Sequence, residues 1–254
     1  MTLPRAPHPA ATLLLVLALG GCASGPSPKA MKTAEIHNDL AVEALRAGRS
    51  QEALKEYDIA LEADPDMPEA LMGRGLVMEY GFGKLAEAEA DYRHALLIRP
   101  NYPEAHNNLG QLLAKTGRPT EALAEFDKAI DINLYMEPWV ARCNRGQTLY
   151  QLGRKDEGLA ELHTCVRIAP KYCQGRRELG RILLAEGKPA EALAEFEAYA
   201  RSCPKTADAQ LQLGTARLKA GDAAGARSAF EACVSMAGEG AVADECRKTL
   251  QLLK

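Results

Sequence analysis

One short motif recurs six times along the chain, and its spacing constrains the fold more tightly than the composition does. A small residue is followed four positions later by a large apolar one, and consecutive copies begin 35, 34, 36, 34 and 34 residues apart. A fixed period of this length predicts a repeat architecture, because each unit can bury its apolar face only by stacking on the next. The small and large residues are Ala53 and Tyr57, Ala88 and Tyr92, Ala122 and Phe126, Gly158 and Leu162, Ala192 and Phe196, and Ala226 and Phe230.

Each unit has the pattern of two antiparallel helices. Leu-Gly pairs such as Leu109-Gly110 allow close helix approach, the large residue of the motif fills the gap, and a glycine reverses the chain. The low aromatic content and the lack of alternating β-branched runs argue against a sheet. The pattern resembles the tetratricopeptide repeat, a helix-turn-helix unit of about 34 residues. The resemblance implies an all-α fold, a right-handed solenoid of six helix pairs plus a C-terminal capping helix. The predicted turn glycines are Gly48, Gly117, Gly153, Gly187 and Gly221.

The repeat divides the chain into four kinds of segment. We predict a lipoprotein signal peptide over 1–21, a lipidated flexible tether over 22–33, the repeats over 34–240 and a capping helix over 241–254. The cap follows the helix-breaking stretch Gly238 to Gly240 and has an amphipathic pattern. The predicted repeats are 34–67, 68–102, 103–138, 139–172, 173–206 and 207–240.

The N-terminus carries a targeting signal. Arg5 is followed by an apolar run from Ala11 to Gly21, too short for a final membrane span, and then by Cys22. The segment LGGC resembles the lipobox of bacterial lipoproteins, which implies cleavage before Cys22 and a diacylglyceryl group on its sulfur. Since Ala23 stands where an inner-membrane lipoprotein typically has Asp, the implied location is the periplasmic face of the outer membrane. The alternative is a plain secretory signal in which Cys22 is incidental.

The sequence lacks the patterns of common active sites. Its formal charge is -3 with mixed signs and no basic run, which argues against nucleic acid as a partner. The histidines are isolated, and there is no GxSxG, phosphate loop or CxxC pair. We therefore expect a protein that is not an enzyme, with no catalytic residue, no metal, no small-molecule substrate, and no cofactor beyond the covalent lipid on Cys22.

The six cysteines after Cys22 all lie in the C-terminal half. An even number in an oxidising periplasm favours disulfides, and antiparallel helices place the beginning of a unit beside its end. This geometry predicts the pairs Cys173–Cys203, Cys233–Cys246 and Cys143–Cys165. The alternative is that cysteines at the small position of the motif are simply buried apolar residues.

The concave face of the solenoid is the predicted binding surface, lined by the first helix of each unit. In the first two repeats it carries an apolar strip, and in the third and fourth it carries side-chain amides. Exposed apolar strips usually mark partner sites, although these side chains have the alternative of packing against a neighbouring helix. The predicted groove residues are Val42, Leu45, Met72, Leu76, Asn107 and Gln111.

The stretch DINLYMEPWVARCNRG, residues 131–146, interrupts the period with two additional residues. A proline expected at Leu134 is delayed to Pro138, which predicts a longer connection in which Tyr135 and Trp139 fill the wedge between repeats three and four. The alternative is direct partner contact by these residues. Together with Asn107 and Asn108, this stretch resembles the type IV pilus pilotins, called PilF, PilW or Tgl; the residues that match are Asn107, Asn108, Tyr135, Pro138, Ala141, Asn144 and Gly146.

This resemblance implies a lipid-anchored outer-membrane protein that binds the secretin PilQ. The implied role is to promote secretin localisation or multimer assembly, and hence pilus biogenesis and pilus-dependent motility. A second hypothesis is a periplasmic repeat scaffold for outer-membrane protein assembly or cell-wall enzymes, which needs the same anchor and the same groove.

Overall fold

A computed structural model describes residues 25–133 and 135–253. Within these residues the chain forms thirteen α-helices and no strand. Eight of these helices begin with Pro, Ser or Lys, and the five predicted turn glycines each lie two residues after the end of the first helix of a repeat. The helices are α1 Pro28–Arg46, α2 Ser50–Ala63, α3 Pro68–Leu76, α4 Leu85–Ile98, α5 Pro103–Lys115, α6 Pro119–Asp131, α7 Pro138–Gln151, α8 Lys155–Ile168, α9 Cys173–Ala185, α10 Pro189–Ser202, α11 Ala207–Lys219, α12 Ala223–Ala237 and α13 Ala241–Leu252.

The helices pack as six consecutive pairs followed by one additional helix. The pairs are α1–α2, α3–α4, α5–α6, α7–α8, α9–α10 and α11–α12, and α13 packs on both helices of the last pair. Each pair also contacts the following pair, so the core runs continuously along the array. The predicted all-α solenoid of six helix pairs with a C-terminal capping helix is confirmed.

The close packing within each pair depends on the small and large residues of the motif. A methyl group added to Gly110 would lie 2.6 Å from Cε1 of Phe126, and one added to Gly214 would lie 2.7 Å from Cε1 of Phe230. In repeat four the large residue is Leu162, and a methyl group on Gly158 would lie 2.7 Å from the carbonyl oxygen of Gly146. Because Leu162 is smaller than the Tyr or Phe at this position in the other repeats, the two helices of repeat four come close enough for their backbones to touch.

The 35-residue spacing in repeat two is explained by a π-helical turn, Val77–Gly81, that continues α3. In repeat three, the turn glycine Gly117 follows the packing glycine Gly110 by seven residues, whereas in repeat two Gly83 follows Gly75 by eight. A π turn adds one residue without ending the helix. Gly83 has φ +68°, so it is a sixth turn glycine in addition to the five that were predicted.

The 36-residue spacing is explained by the connection between α6 and α7. This connection comprises residues 132–137, two more than the connection 99–102 between α4 and α5. Pro138 is the first residue of α7, so the helix begins one residue before Trp139, where we expected it to resume. Leu134 itself lies outside the described residues.

A polar pair recurs within the repeats at a separation of 19 residues. It joins a histidine or arginine of the first helix to a glutamate of the second, and its buried example, His106 with Glu125, has an Nδ1–Oε2 distance of 2.6 Å. Nε2 of His106 also lies 2.9 Å from the carbonyl oxygen of Pro100, so both ring nitrogens have a partner within the protein. The pairs are His37–Glu56, His106–Glu125, Arg142–Glu161 and Arg176–Glu195.

The structure joins the six cysteines in the three predicted pairs. The Cα–Cα distances are 5.5 Å for Cys143–Cys165, 6.2 Å for Cys173–Cys203 and 6.3 Å for Cys233–Cys246, all within the disulfide range. The Cys143–Cys165 pair lies directly against Gly175 of the next repeat, where an added methyl group would lie 2.7 Å from Sγ of Cys143. The cross-link of repeat four therefore depends on a glycine in repeat five.

The first helix begins inside the segment that was predicted to be a flexible tether. Helix α1 begins at Pro28, inside the range 22–33, and Ser27 caps it by accepting a hydrogen bond from the backbone N–H of Ala30 at 3.2 Å. Proline at the first position and serine at the cap are strong helix-start signals, and they outweigh the Pro-Ser-Gly composition that predicted a flexible segment. Cys22 and the signal peptide lie outside the described residues. Among the residues described, none of the helices is long and apolar enough to cross a membrane.

Candidate functional site

The predicted apolar strip on the concave face is partly covered. Val42, Leu45 and Met72 are half-buried against the core of the first two repeats, and Leu76 packs on the core of repeats two and three. The covered part of each side chain corresponds to the alternative of packing against a neighbouring helix, and the remainder stays open to solvent.

Asn107 is also unavailable to a partner. It is 4 % exposed, and its Oδ1 accepts a hydrogen bond from Nδ2 of Asn144 at 2.8 Å. Nδ2 of Asn107 in turn lies 3.4 Å from Oδ1 of Asn108. These amides connect α5 to α7 across the junction between repeats three and four. The matched asparagines of the pilotin resemblance thus hold two repeats together.

An open cleft of about 540 Å³ lies on the concave face at the centre of the array. Gln111 is the one predicted groove residue that lines it, and the neighbouring α7 contributes a row of polar side chains. The lining residues are Glu79, Tyr80, Gln111, Ala114, Lys115, Phe126, Asn144, Gln147, Thr148, Gln151 and Gln174. We call this surface the amide groove.

One wall of the amide groove contains the buried carboxylate of Glu79. Glu79 is 3 % exposed and accepts hydrogen bonds from the Tyr92 hydroxyl at 3.2 Å and from Nζ of Lys115 at 3.4 Å. Burial, and then the charge of Glu79, raise the pKa of Tyr92, so this phenol stays protonated and donates. Lys115 also lies 5.4 Å from the centre of the exposed Tyr80 ring. The charge of Glu79 is therefore compensated within the protein.

The remaining groove wall presents uncharged donors and acceptors. Gln111 and Gln147 are half-buried and Gln151 is exposed, and each amide can both donate and accept. Such side chains complement the N–H and C=O groups of an extended polypeptide, whose main chain presents both kinds of group in alternation. The groove is therefore suited to a polypeptide segment recognised partly through its backbone.

Towards repeat five the concave face becomes cationic. Arg177 and Arg181 share one buried carboxylate, Glu178, at N–O distances of 3.0 Å and 3.4 Å. The side chain of Arg181 is 58 % exposed, so one positive charge of this cluster faces solvent. A segment that extends from the amide groove towards repeat five would meet this charge.

The two aromatic residues of the interrupted stretch lie on different sides of the junction. Tyr135 packs on the core of repeats two and three, whereas Trp139 packs on the core of repeats four to six and lines a second cleft with Ile168 and Tyr172. The prediction that both fill the wedge between repeats three and four is wrong for Trp139. The reason is that the chain turns at Pro138, which separates the two side chains.

Three groove residues, Lys115, Tyr80 and Gln151, were not predicted from the sequence. The π turn accounts for Tyr80, because it shifts the residues of repeat two that follow it by one position relative to the other repeats, and the 35-residue spacing was the signal for this shift. Lys115 and Gln151 are the last residues of α5 and α7, and no signal in the sequence marked them. Among the described residues no cluster of three or more His, Cys, Asp or Glu side chains is arranged to hold a metal ion.

Family models support the repeat assignment over most of the array. A tetratricopeptide repeat model matches residues 38–96 and 177–241, a TPR repeat model matches 78–117, and further tetratricopeptide repeat models match 103–134 and 141–172. Curated relatives match only a segment: the rat DnaJ homolog subfamily C member 3 is 31 % identical over 99 residues, which are 39 % of this chain and 19 % of that protein. These relatives therefore share repeats with this chain and not its overall organisation.

Two solved structures match nearly their whole length. PilW, described as a widely conserved type IV pilus biogenesis factor, aligns with a TM-score of 0.73 and 25 % identity over 84 % of this chain and 97 % of its own. PilF of Pseudomonas aeruginosa aligns with a TM-score of 0.69 and 19 % identity over 87 % of this chain and 99 % of its own. The second identity is low enough that it shows the shared fold alone. The chain thus has the fold of these proteins, a scaffold of a kind that generally serves protein–protein interaction.

Proposed function

We propose that this chain, which belongs to the tetratricopeptide repeat family, is a pilotin, an outer-membrane lipoprotein that binds the type IV pilus secretin. The supporting observation is the extent of the PilW match, which covers 84 % of this chain and 97 % of PilW. A match over the full array indicates a common number and arrangement of repeats, a property that a tetratricopeptide repeat protein from Parabacteroides merdae shares, since it aligns over 87 % of this chain with a TM-score of 0.68. The choice of a pilotin among such proteins therefore also draws on the 25 % identity to PilW and on the residues of the interrupted stretch that resemble the pilotins.

The proposed mechanism has two parts. A lipid on Cys22 fixes the protein to the periplasmic face of the outer membrane, where two or three acyl chains make a lasting anchor. The amide groove holds a segment of a PilQ protomer until neighbouring protomers arrive. Shielding this segment suppresses wrong strand pairing and keeps the protomers close to the membrane, which promotes localisation and multimer assembly.

The observed groove changes the class of segment that we expect. Because Val42, Leu45, Met72 and Leu76 are half-buried against the core, they leave little apolar surface open, and we expect a bound segment that is not held mainly by apolar contacts. An extended segment with polar side chains fits the amides of Gln111 and Gln147 better. The protein acts by binding alone, without catalysis and without a cofactor beyond the lipid.

The groove can be tested with a large cation that blocks it. We expect Gln111→Arg together with Gln147→Arg to reduce the abundance of heat-resistant secretin multimers in cells, because two long charged side chains would occupy the cleft. Gln51→Arg is the matched control, since Gln51 is exposed on the outer surface of α2. Charged residues at Met72 or Leu76 are unsuitable, because they would also disturb the core.

Two results would contradict the proposal. One is a normal amount of secretin multimer with the double variant, provided that its circular dichroism and its abundance match those of the wild type. The other is a deletion strain that keeps its secretin multimers and extended pili. If that strain instead shows altered porin levels or septation, the scaffold hypothesis replaces the pilotin.

A further inference from the structure

The outer face of α1 forms the N-terminal end of the solenoid and has no helix packed on it among the described residues. Its centre is Ile36 and Leu40, which are 48 % and 49 % exposed, while the buried side of the same helix carries Ala34 and Ala41. At the opposite end of the array α13 covers the core. The two ends therefore differ, and the uncovered one is the end nearer to Cys22.

This face is a continuous stripe along the helix. At about 100° per residue, Lys29, Lys32, Ile36, Leu40 and Glu43 fall within about 80° of one another. The two lysines lie at the N-terminal end and the two apolar residues in the middle. The face therefore presents cations and then apolar side chains to whatever lies beyond this end of the array.

The distance to the anchor decides what this face meets. Five residues, 23–27, separate Cys22 from the start of α1 at Pro28. Six residue steps span at most about 20 Å, even if fully extended. If Cys22 carries a lipid, the first turn of α1 stays within that distance of the membrane at all times.

We propose that the outer face of α1 docks on the phospholipid surface and thereby holds the solenoid upright on the membrane. This inference rests on the lipid anchor of the proposed function. Lys29 and Lys32 would contact phosphate groups, while Ile36 and Leu40 insert among the headgroups. Two apolar side chains bind weakly alone, but the anchor makes the contact intramolecular, so a weak affinity is sufficient.

The acidic residues of α1 fix the orientation of the docked helix. Glu35 lies beside the stripe and is paired with Lys32 at 3.2 Å, whereas Asp39 and Glu43 lie further from the anchor. Anionic lipids attract the N-terminal half of α1 and repel its C-terminal half. The helix therefore tilts, with Ile36 deeper than Leu40, and each later repeat lies further from the membrane than the one before.

Lipid-quenched fluorescence of the full chain, expressed in bacteria with residues 1–21 so that Cys22 can be lipidated, tests this geometry. Trp139 is the one tryptophan of the sequence, so Trp139→Phe gives a background for Ile36→Trp or Leu40→Trp. In vesicles of phosphatidylethanolamine and phosphatidylglycerol with brominated chains, we expect the emission of both to be quenched, that of Ile36→Trp more strongly. Leu252→Trp, at a position that is 79 % exposed on α13, is the matched control and should not be quenched.

The possible outcomes distinguish membrane contact by α1 from anchoring by the lipid on Cys22. Protein that does not float with the vesicles shows that the lipid anchor, and with it the proposed function, is absent. Protein that floats without quenching of the Ile36→Trp variant refutes the docking and leaves the anchor intact. Quenching that does not fall when Lys29 and Lys32 are both changed to Gln would refute the role of the lysines. A concentration-dependent dimer that protects the tryptophan of the Ile36→Trp variant from aqueous quenchers, without lipid quenching, would assign the face to a second copy.

Discussion

The two halves of the solenoid share one repeat geometry, but only one of them is cross-linked by disulfides. Ion pairs such as His106–Glu125 and Arg176–Glu195 occur in both halves, whereas residues 28–131 contain no cysteine and residues 138–252 carry three disulfides. The difference shows at one position, seven residues after the small residue of the motif. Alanine occupies it in the N-terminal half (Ala60, Ala95 and Ala129), and cysteine occupies it in two repeats of the C-terminal half (Cys165 and Cys233). All five side chains are fully buried. A small buried position can thus carry either a methyl group or a cross-link without a change of fold.

In the N-terminal half, the side chain of Arg74 joins repeats one and two through ion pairs. Arg74 donates through Nε and Nη2 to both oxygens of Asp91, at 2.9 Å and 2.7 Å, and through Nη1 to Asp58 at 3.1 Å. It therefore bridges the second helices of repeats one and two. The amide groove is bounded by Glu79 and Lys115 on one side and by Gln147 on the other. It therefore lies at the boundary between the half without cysteine and the half with three disulfides.

Reduction of the disulfides should produce the largest difference between the halves. The three pairs close loops with separations of 22, 30 and 13 residues, and each is expected to contribute about 3 kcal/mol by restricting the unfolded chain. Hydrogen exchange measured by mass spectrometry in dithiothreitol should show lost protection in residues 138–252 and little change in 28–131. Equal loss in both halves, or recovery of six free thiols from the untreated protein, would contradict the pairing.

Removal of the arginine bridge should destabilise the other half. Arg74→Met leaves Asp91, which is 7 % exposed, without its partner, so we expect a loss of about 2–3 kcal/mol in the free energy of unfolding. Urea denaturation followed by circular dichroism measures this loss. The control is Arg46→Met, because Arg46 is 76 % exposed at its side chain and its pair with Glu43 is expected to contribute under about 1 kcal/mol. Equal effects of the two substitutions would show that the bridge does not fasten these repeats.

The dependence of repeat five on the disulfide of repeat four is testable with one methyl group. Gly175→Ala places its Cβ 2.7 Å from Sγ of Cys143 and 3.1 Å from Sγ of Cys165, so we expect a loss of about 1–2 kcal/mol from overpacking. The loss should shrink when both cysteines are replaced by alanine, which a double-mutant cycle measures directly. Gln174→Ala, at an exposed neighbouring position, is the control. Additive effects would show that the glycine is not required by the disulfide.

The smallest expected effect concerns acid stability in the N-terminal half. Burial alone would raise the pKa of the Glu125 carboxyl, but hydrogen bonds from His106 and Lys128 outweigh burial and lower it. A lowered pKa means that Glu125 stabilises the fold above about pH 4.3 and that this stabilisation is lost as pH falls through the folded-state value. Glu125→Gln should therefore cost about 1 kcal/mol at neutral pH and progressively less as the pH falls through the folded-state pKa.

Urea denaturation at a series of pH values checks this dependence, with Glu52→Gln on the exposed start of α2 as the control. A constant difference between the wild type and Glu125→Gln across that series would show that the ionised carboxylate contributes nothing. A similar pH dependence in the control would assign the effect to net charge.

Much of the fold follows from the sequence because it depends on local spacing. The small and large residues of each motif, such as Ala122 and Phe126, specify which helices pair, and the turn glycines specify where the chain reverses. The 36-residue spacing located a longer connection, which the structure places at residues 132–137. The cysteine pairs followed from the same antiparallel geometry.

The candidate site was less predictable, because exposure depends on neighbouring repeats. Met72 occupies a concave position in its own repeat, but it packs against the core of the first two repeats. Asn107 carries an amide that could bind a ligand, but its Oδ1 already accepts a hydrogen bond from Asn144, 37 residues away. Neither fact is contained in the local pattern of one unit.

The sequence by itself determined the number of repeats, the pairing of helices and the position of the longer connection between repeats three and four, since these depend on distances along one chain. The tertiary structure alone decided which concave side chains remain open. It converted an additional residue into the π turn Val77–Gly81, whose Glu79 and Tyr80 line the groove, and it left the outer face of α1 uncovered by the other described helices. The physical reason is that solvent exposure is a property of the stack: a side chain is buried by the repeat beside it, however regular its own repeat is.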